Sequence, residues 1–204
     1  MKHIPKNTTS DMDILSFHDA LTIRGTEEYD RNKWFYVPDT YCDYRYILGT
    51  KGQNPLICIG VNPSTAAPGA LDPTLKSVER IQNTNGFDSF YMINLYPQRA
   101  TDPMHMEREC NKTLCRENEM ALEFLLNEVI KGPATVWCAW GTIIEKRPYL
   151  SDCLKGLVSV GKKYNVRWVD ADKRSKVGHP HHPLYMKADS IFRDFDVEEY
   201  LNSI

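Results

Sequence analysis

The sequence has no apolar run approaching the roughly 18 residues that a membrane-spanning helix needs. It has no GxGxxG and no P-loop, so the two common glycine-rich phosphate cradles are missing. No serine stands on a GxSxG elbow, which excludes that route to a nucleophilic hydrolase. A strong charge of either sign is also lacking. The formal net charge is −2, so the chain as a whole exerts little pull on a polyanion. There is no repeat and no low-complexity segment. The first residues, MKHIPKNTTSDMD, lack the apolar stretch of a secretory signal. A cytoplasmic protein with no membrane partner is therefore expected.

What is present is ordinary for a globular chain. With 204 residues, 42% of them hydrophobic and 25% charged, one domain with a sizeable core is expected over residues 1–204. Of the six cysteines, Cys58 and Cys138 fall inside apolar strand-like runs, where a thiol acts as a small hydrophobe. Cys110 and Cys115 are five apart, which matches neither CxxC nor a usual zinc spacing. Free thiols in a reducing compartment, with no metal and no cofactor, are the expectation. Lys162, Lys163, Arg167, Lys173, Arg174 and Lys176 crowd one segment, and Asp194 to Ile204 is acidic. The basic run reads either as a solvated face or as a phosphate contact.

The apolar patterning predicts the elements. Residues 1–30 read as an irregular or partly helical lead, with a helix at Asp11 to Leu21. Trp34 to Val37 and Tyr44 to Leu48 are aromatic and β-branched, and predict a short antiparallel pair around Pro38. Pro55 to Val61, Ser89 to Leu95 and Ala134 to Trp140 are nearly continuous apolar runs, as in strands covered on both faces. Tyr164 to Asp170 is a fourth, shorter one. Asp72-Pro73 opens a helix with Leu75, Val78 and Ile81 at helical spacing, and Glu107 to Ile130 predicts a longer helix. The alternation predicts a three-layer α/β/α sandwich with a central, mostly parallel four-stranded sheet, preceded by the antiparallel pair.

Polar residues collect just after these strands. Asn62-Pro63-Ser64-Thr65 follows the first. Asn94 ends the second, ahead of a loop carrying Arg99 and Asp102. Trp140-Gly141-Thr142 follows the third, and His179-Pro180-His181-His182-Pro183-Leu184 lies beyond the fourth. In open parallel sheets ligands bind outside the carboxyl ends of the strands, so four segments converge on one expected site. Each cluster also has a structural reading as a turn, a cap or an internal pair. The three histidines in four residues admit a metal reading, though His181 and His182 are adjacent and do not easily share one ion.

"YRYIL", "NPSTA", "NLYPQRATDP" and "GHPHHPLY", in that order from Tyr44 to Tyr185, closely resemble a bacterial and phage family known as domain of unknown function 1643. The layout more distantly resembles the uracil-DNA glycosylase superfamily. In some of its branches the first core strand ends in Gly-x-Asn-Pro-Gly, and "GVNPS" matches except that Ser64 replaces the last Gly. A strand-end Asn corresponds to Asn94, and a His-Pro-Ser-Pro-like loop corresponds to "HPHHPL" with one extra residue. That resemblance implies hydrolysis of the N-glycosidic bond of a nucleobase in nucleic acid or a nucleoside, with a nucleobase, nucleoside or nucleic acid as the partner. Asn62 would position the attacking water and Asn94 would bind the base edge. His179 would stabilise the leaving base, with His182 able to take that role, and Leu184 would sit near the wedge position. Ser64, Arg99 and Asp102 would complete the binding residues. Two other expectations stay open: a non-catalytic module binding a nucleotide or modified base, and a metal-dependent hydrolase using the 179–182 histidines.

Overall fold

A computed structural model of the chain describes residues 2–5 and 9–204. The parts of the expected N-terminal lead at residues 1 and 6–8 lie outside the described residues. Seven strands make one sheet in the spatial order β1-β2-β4-β3-β5-β6-β7. They are β1 (Trp34–Val37), β2 (Ile47–Thr50), β3 (Pro55–Gly60), β4 (Ser89–Asn94), β5 (Thr135–Cys138), β6 (Arg167–Ala171) and β7 (Phe192–Asp194). The helices are α1 (Phe17–Thr22), α2 (Pro73–Thr84), α3 (Lys112–Phe124), α4 (Tyr149–Lys163) and α5 (Val197–Asn202). No helix among the described residues is long and apolar enough to cross a membrane.

The sheet corrects the expected one. β3, β4, β5 and β6 are parallel to their neighbours among themselves. The aromatic pair does not merely precede them, because β2 joins β4 antiparallel with Leu48 opposite Met92. At the other edge β7 pairs antiparallel with β6. The sheet is thus seven-stranded and mixed rather than four-stranded. The β7 stretch is short and half exposed, so no apolar run marks it.

Successive residues of the central strands face opposite sides. Ile57, Ile59, Ile93, Val136 and Cys138 enter a core shared with residues of α1, α3, α4 and α5. Leu56, Cys58, Phe90, Met92 and Trp137 enter a second core, against Leu75, Val78 and Ile81 of α2. Asp72 caps α2 by accepting from Leu75 N at 2.9 Å, with Pro73 at the first helical position. α3 starts later than the sequence predicts, because Asn111 Oδ1 accepts from Thr113 N and Leu114 N and caps it there. A π-helical turn then continues it to Ile130. Among the described residues near the N-terminus, only Phe17–Thr22 is α-helical.

Candidate functional site

β3 lies between β4 and β5, so the chain reverses its direction of travel across the sheet there. This is the topological switch point, where the loops leaving neighbouring strands part and open a crevice at the carboxyl edge. The ladder carries past the strand ends: Leu95 N donates to Gly60 O, Tyr96 N to Val61 O and Ala139 N to Ile59 O, at 2.8–2.9 Å. The three strand ends are thereby held side by side. A cavity of about 380 Å³ opens over them.

Asn94 sits at the bottom of this cavity and is 1% exposed. Its backbone carbonyl accepts from Asn118 Nδ2 at 2.7 Å, which fixes the end of β4. Its side-chain amide has no partner: both Oδ1 and Nδ2 are buried and unpaired. Such orphans are rare, since an unmade buried hydrogen bond costs about 1–3 kcal/mol. Gly60 makes room for this amide. A Cβ there would lie 2.5 Å from Met92 Cε and 3.0 Å from Asn94 Oδ1.

Asn62 also lines the cavity. Its Nδ2 donates to Ala100 O at 2.7 Å and Pro63 O at 3.0 Å. An amide nitrogen facing two carbonyls fixes the amide's orientation. Oδ1 is then the atom left to accept from a ligand. Ala100 N returns a bond to Pro63 O at 2.9 Å, so the loops after β3 and β4 are clamped together. Ser64 lines the same wall, and its hydroxyl contacts Thr101 Oγ1 at 3.1 Å. It does not cap α2, since Asp72 does.

Arg99 is fully buried behind the wall rather than in the cavity. Its guanidinium donates to the carbonyls of Ser64 and Ala66 and, at 2.8 Å, to the Tyr36 hydroxyl, and it stacks on Tyr41. It therefore shapes the 62–66 loop. Asp102 is exposed and caps the short turn at Pro103–His105. Neither residue faces the cavity.

The histidine loop divides. His182 and Leu184 line the cavity, and His179 does not. His179 is buried between Tyr200 and Glu145. Trp140 Nε1 can only donate, so the Tyr200 hydroxyl accepts from it at 3.0 Å and is free to donate to His179 Nδ1 at 2.6 Å. His179 Nε2–H then donates to Glu145 at 3.0 Å. His179 thus anchors the loop to α5, while His182 faces the cavity. Gly141, at φ 61°, allows this: a Cβ there would sit 3.1 Å from His182 Cβ. Burial lowers the His182 pKa below its ordinary 6.5, partly offset by Asp72, so the ring is neutral at pH 7. Its Nδ1 accepts from Leu184 N at 3.4 Å, which leaves the proton on Nε2. Among the described residues, no histidine of this loop joins a cluster of three metal-ligating side chains.

Two lining residues carry no mark in the sequence reading. Arg45 is 1% exposed; its Nη1 donates to Ala66 O at 3.2 Å and its Nε is unpaired. Burial and the Arg99 charge lower its pKa to about 9, so it stays cationic at neutral pH. Its position in "YRYIL" hid it, since an arginine in a strand-like run reads as the solvent-facing half of an alternation. Tyr185 is 81% exposed at the rim and stands 6.2 Å from the His182 ring. Phe87, Tyr96 and Trp140 do not line the cavity. The basic run is largely neutralised: Lys162 pairs with Glu198, Lys163 with Glu123, Arg167 with Asp194 and Arg174 with Asp170, at 2.7–3.5 Å.

Fold and site together define an α/β protein with a cavity at the switch point of a mixed sheet, floored by a strand-end asparagine and walled by a buried arginine. Within that class the chain belongs to the family described as Protein of unknown function (DUF1643), whose model matches residues 45–184. That span contains Arg45, Asn62, Asn94, His182 and Leu184. No curated protein and no solved structure matches the chain.

Proposed function

We propose that the cavity holds a nucleobase and that the protein hydrolyses its N-glycosidic bond, with a fold of the uracil-DNA glycosylase type. The observation that carries this reading is Asn94, which lines the cavity and whose side-chain donor and acceptor are both buried and unpaired. A base edge offering one acceptor beside one donor satisfies both atoms at once, and a purely apolar ligand satisfies neither.

The remaining roles follow from the free atoms. Asn62 Oδ1 accepts from a water and holds it for attack on the sugar carbon. The C–N bond breaks as the sugar gains oxocarbenium character and its electron pair passes to the departing base; water then forms the C–O bond, and its proton passes through solvent to the released base. His182 Nε2–H donates to that developing anion. A neutral donor aimed at charge that appears only in the transition state contributes about 10²–10³ in rate. Arg45 adds a positive potential suited to a flanking phosphate, and Tyr185 at the rim offers a face for stacking. A base in a duplex must be extruded to enter, which gives Leu184 a wedge position.

The test is chromatographic detection of free base from a panel of deaminated and modified single strands, duplexes and nucleosides. Release is expected with the wild type and lost in Asn62→Ala and His182→Ala, with melting temperatures within a few degrees. No base from any substrate would reject hydrolysis. A second reading, a non-catalytic module binding the same base, draws on Asp72. Among the described residues it is the one carboxylate lining the cavity, and its Oδ1 is committed to capping α2. Thermal stabilisation by nucleosides without turnover would favour that module.

A further inference from the structure

Away from the cavity, three cysteines meet. Cys110 lies in the segment before α3, Cys115 in the first turns of α3, and Cys153 in the first turns of α4. The Cys110 and Cys115 sulfurs are 2.7 Å apart, Cys115 and Cys153 3.4 Å, and all three lie within 4.8 Å of one another. All six cysteines of the chain are free thiols. We propose that Cys110, Cys115 and Cys153 bind one soft divalent metal ion of the zinc class.

Three features support a single ion. Zinc–sulfur bonds of about 2.3 Å put tetrahedral thiolates about 3.8 Å apart; the sulfurs already lie within 4.8 Å of one another, and the 2.7 Å and 3.4 Å pairs need only open slightly to take the ion. A cluster with a separate iron for each thiolate would spread them wider. Cys115 and Cys153 both sit near helix N-termini, where the positive end of the helix favours a thiolate. Lys112 and Arg116 lie beside the group and add positive charge. Binding the ion replaces the thiol protons, which leave to solvent. The group lines a hollow of about 310 Å³, so the fourth position falls to water. A Cys110–Cys115 disulfide is the rival outcome, and it would leave the convergence of Cys153 unexplained.

The experiment uses the full chain, untagged, reduced with a phosphine and stripped with chelator. Titration with Co²⁺ is expected to give one equivalent with tetrahedral d–d bands and thiolate-to-cobalt charge transfer, displaced by one Zn²⁺. Because loss of a supporting outer contact alone costs 10–100-fold, Cys110→Ser and Cys153→Ser are each expected to weaken Zn²⁺ binding by about 100-fold or more. Cys42→Ser, outside the group, leaves it unchanged. If Cys153→Ser fails to fold, Cys110→Ser carries the comparison, since Cys110 is half exposed. Reduced wild type binding no more Co²⁺ than Cys110→Ser overturns the proposal. So does a native Cys110–Cys115 disulfide whose reduction restores no metal binding.

Discussion

Replacing Asn94 by leucine should make the protein more stable and useless. Leucine nearly matches the shape of asparagine, and its two methyls would occupy the sites of Oδ1 and Nδ2. Both of those atoms are buried without a partner. Each carries an unmet hydrogen bond costing about 1–3 kcal/mol, whereas apolar atoms in the same place carry none. The Met92 Cε beside the amide makes the neighbourhood apolar already. Allowing for imperfect packing, a gain of about 1–3 kcal/mol is expected. At about 2–4 °C per kcal/mol for a chain of this size, the Tm rises by about 2–12 °C in thermal unfolding without ligand. The same change removes the donor and acceptor that the proposed function assigns to the base edge. Two lost hydrogen bonds at about 1 kcal/mol or more each weaken binding or turnover by at least tenfold. A fall in Tm of more than a few degrees would refute the reasoning, because it would mean that the amide is already satisfied in the free protein.

The two histidines should separate cleanly. His179→Ala breaks the Tyr200–His179–Glu145 chain and should cost about 1–3 kcal/mol in urea unfolding; His182→Ala should leave stability within about 0.5 kcal/mol and abolish base release. Equal stability losses would contradict that division. The lowered pKa of His182 fixes a sign for pH dependence. Between its folded value and 6.5 the unfolded chain takes a proton that the folded chain refuses, so stability falls as pH drops through that window. His182→Asn should flatten this part of the stability–pH curve, and an unchanged slope would remove the histidine from it. Gly60→Ala places a Cβ against Met92 and the Asn94 amide, so ligand affinity should drop at least tenfold, as measured by calorimetry. Wild-type affinity in Gly60→Ala would mean that the Asn94 amide does not need its observed position.

The parallel strands were legible because strands covered on both faces read as unbroken apolar runs, and Pro55–Gly60 and Ser89–Asn94 begin and nearly end where those runs do. β7 was not, since one half-buried and two exposed residues carry no period. The capping of α3 at Asn111 competed with earlier helix formers and won through two hydrogen bonds to its side chain. Around the cavity, Asn62 and Asn94 could be named from their place at strand ends. Which histidine faces the cavity could not, because adjacent loop residues differ only in backbone direction, and Gly141 and Tyr200 decide it from far along the chain. The cysteine cluster was hidden for the same reason: Cys153 lies 38 residues from Cys115 and joins it only when α3 packs on α4.

The central claim, that a nucleobase lies against Asn94, is tested most directly by the side-chain amide signal of Asn94 in ¹⁵N-labelled protein. The signal is assigned by its absence from Asn94→Leu, and free bases are then titrated in. The account predicts a large, saturable downfield shift of one Asn94 amide proton with at least one base, and none with a purely apolar ring of the same size. An Asn94 signal that stays still through the whole series of bases would contradict it.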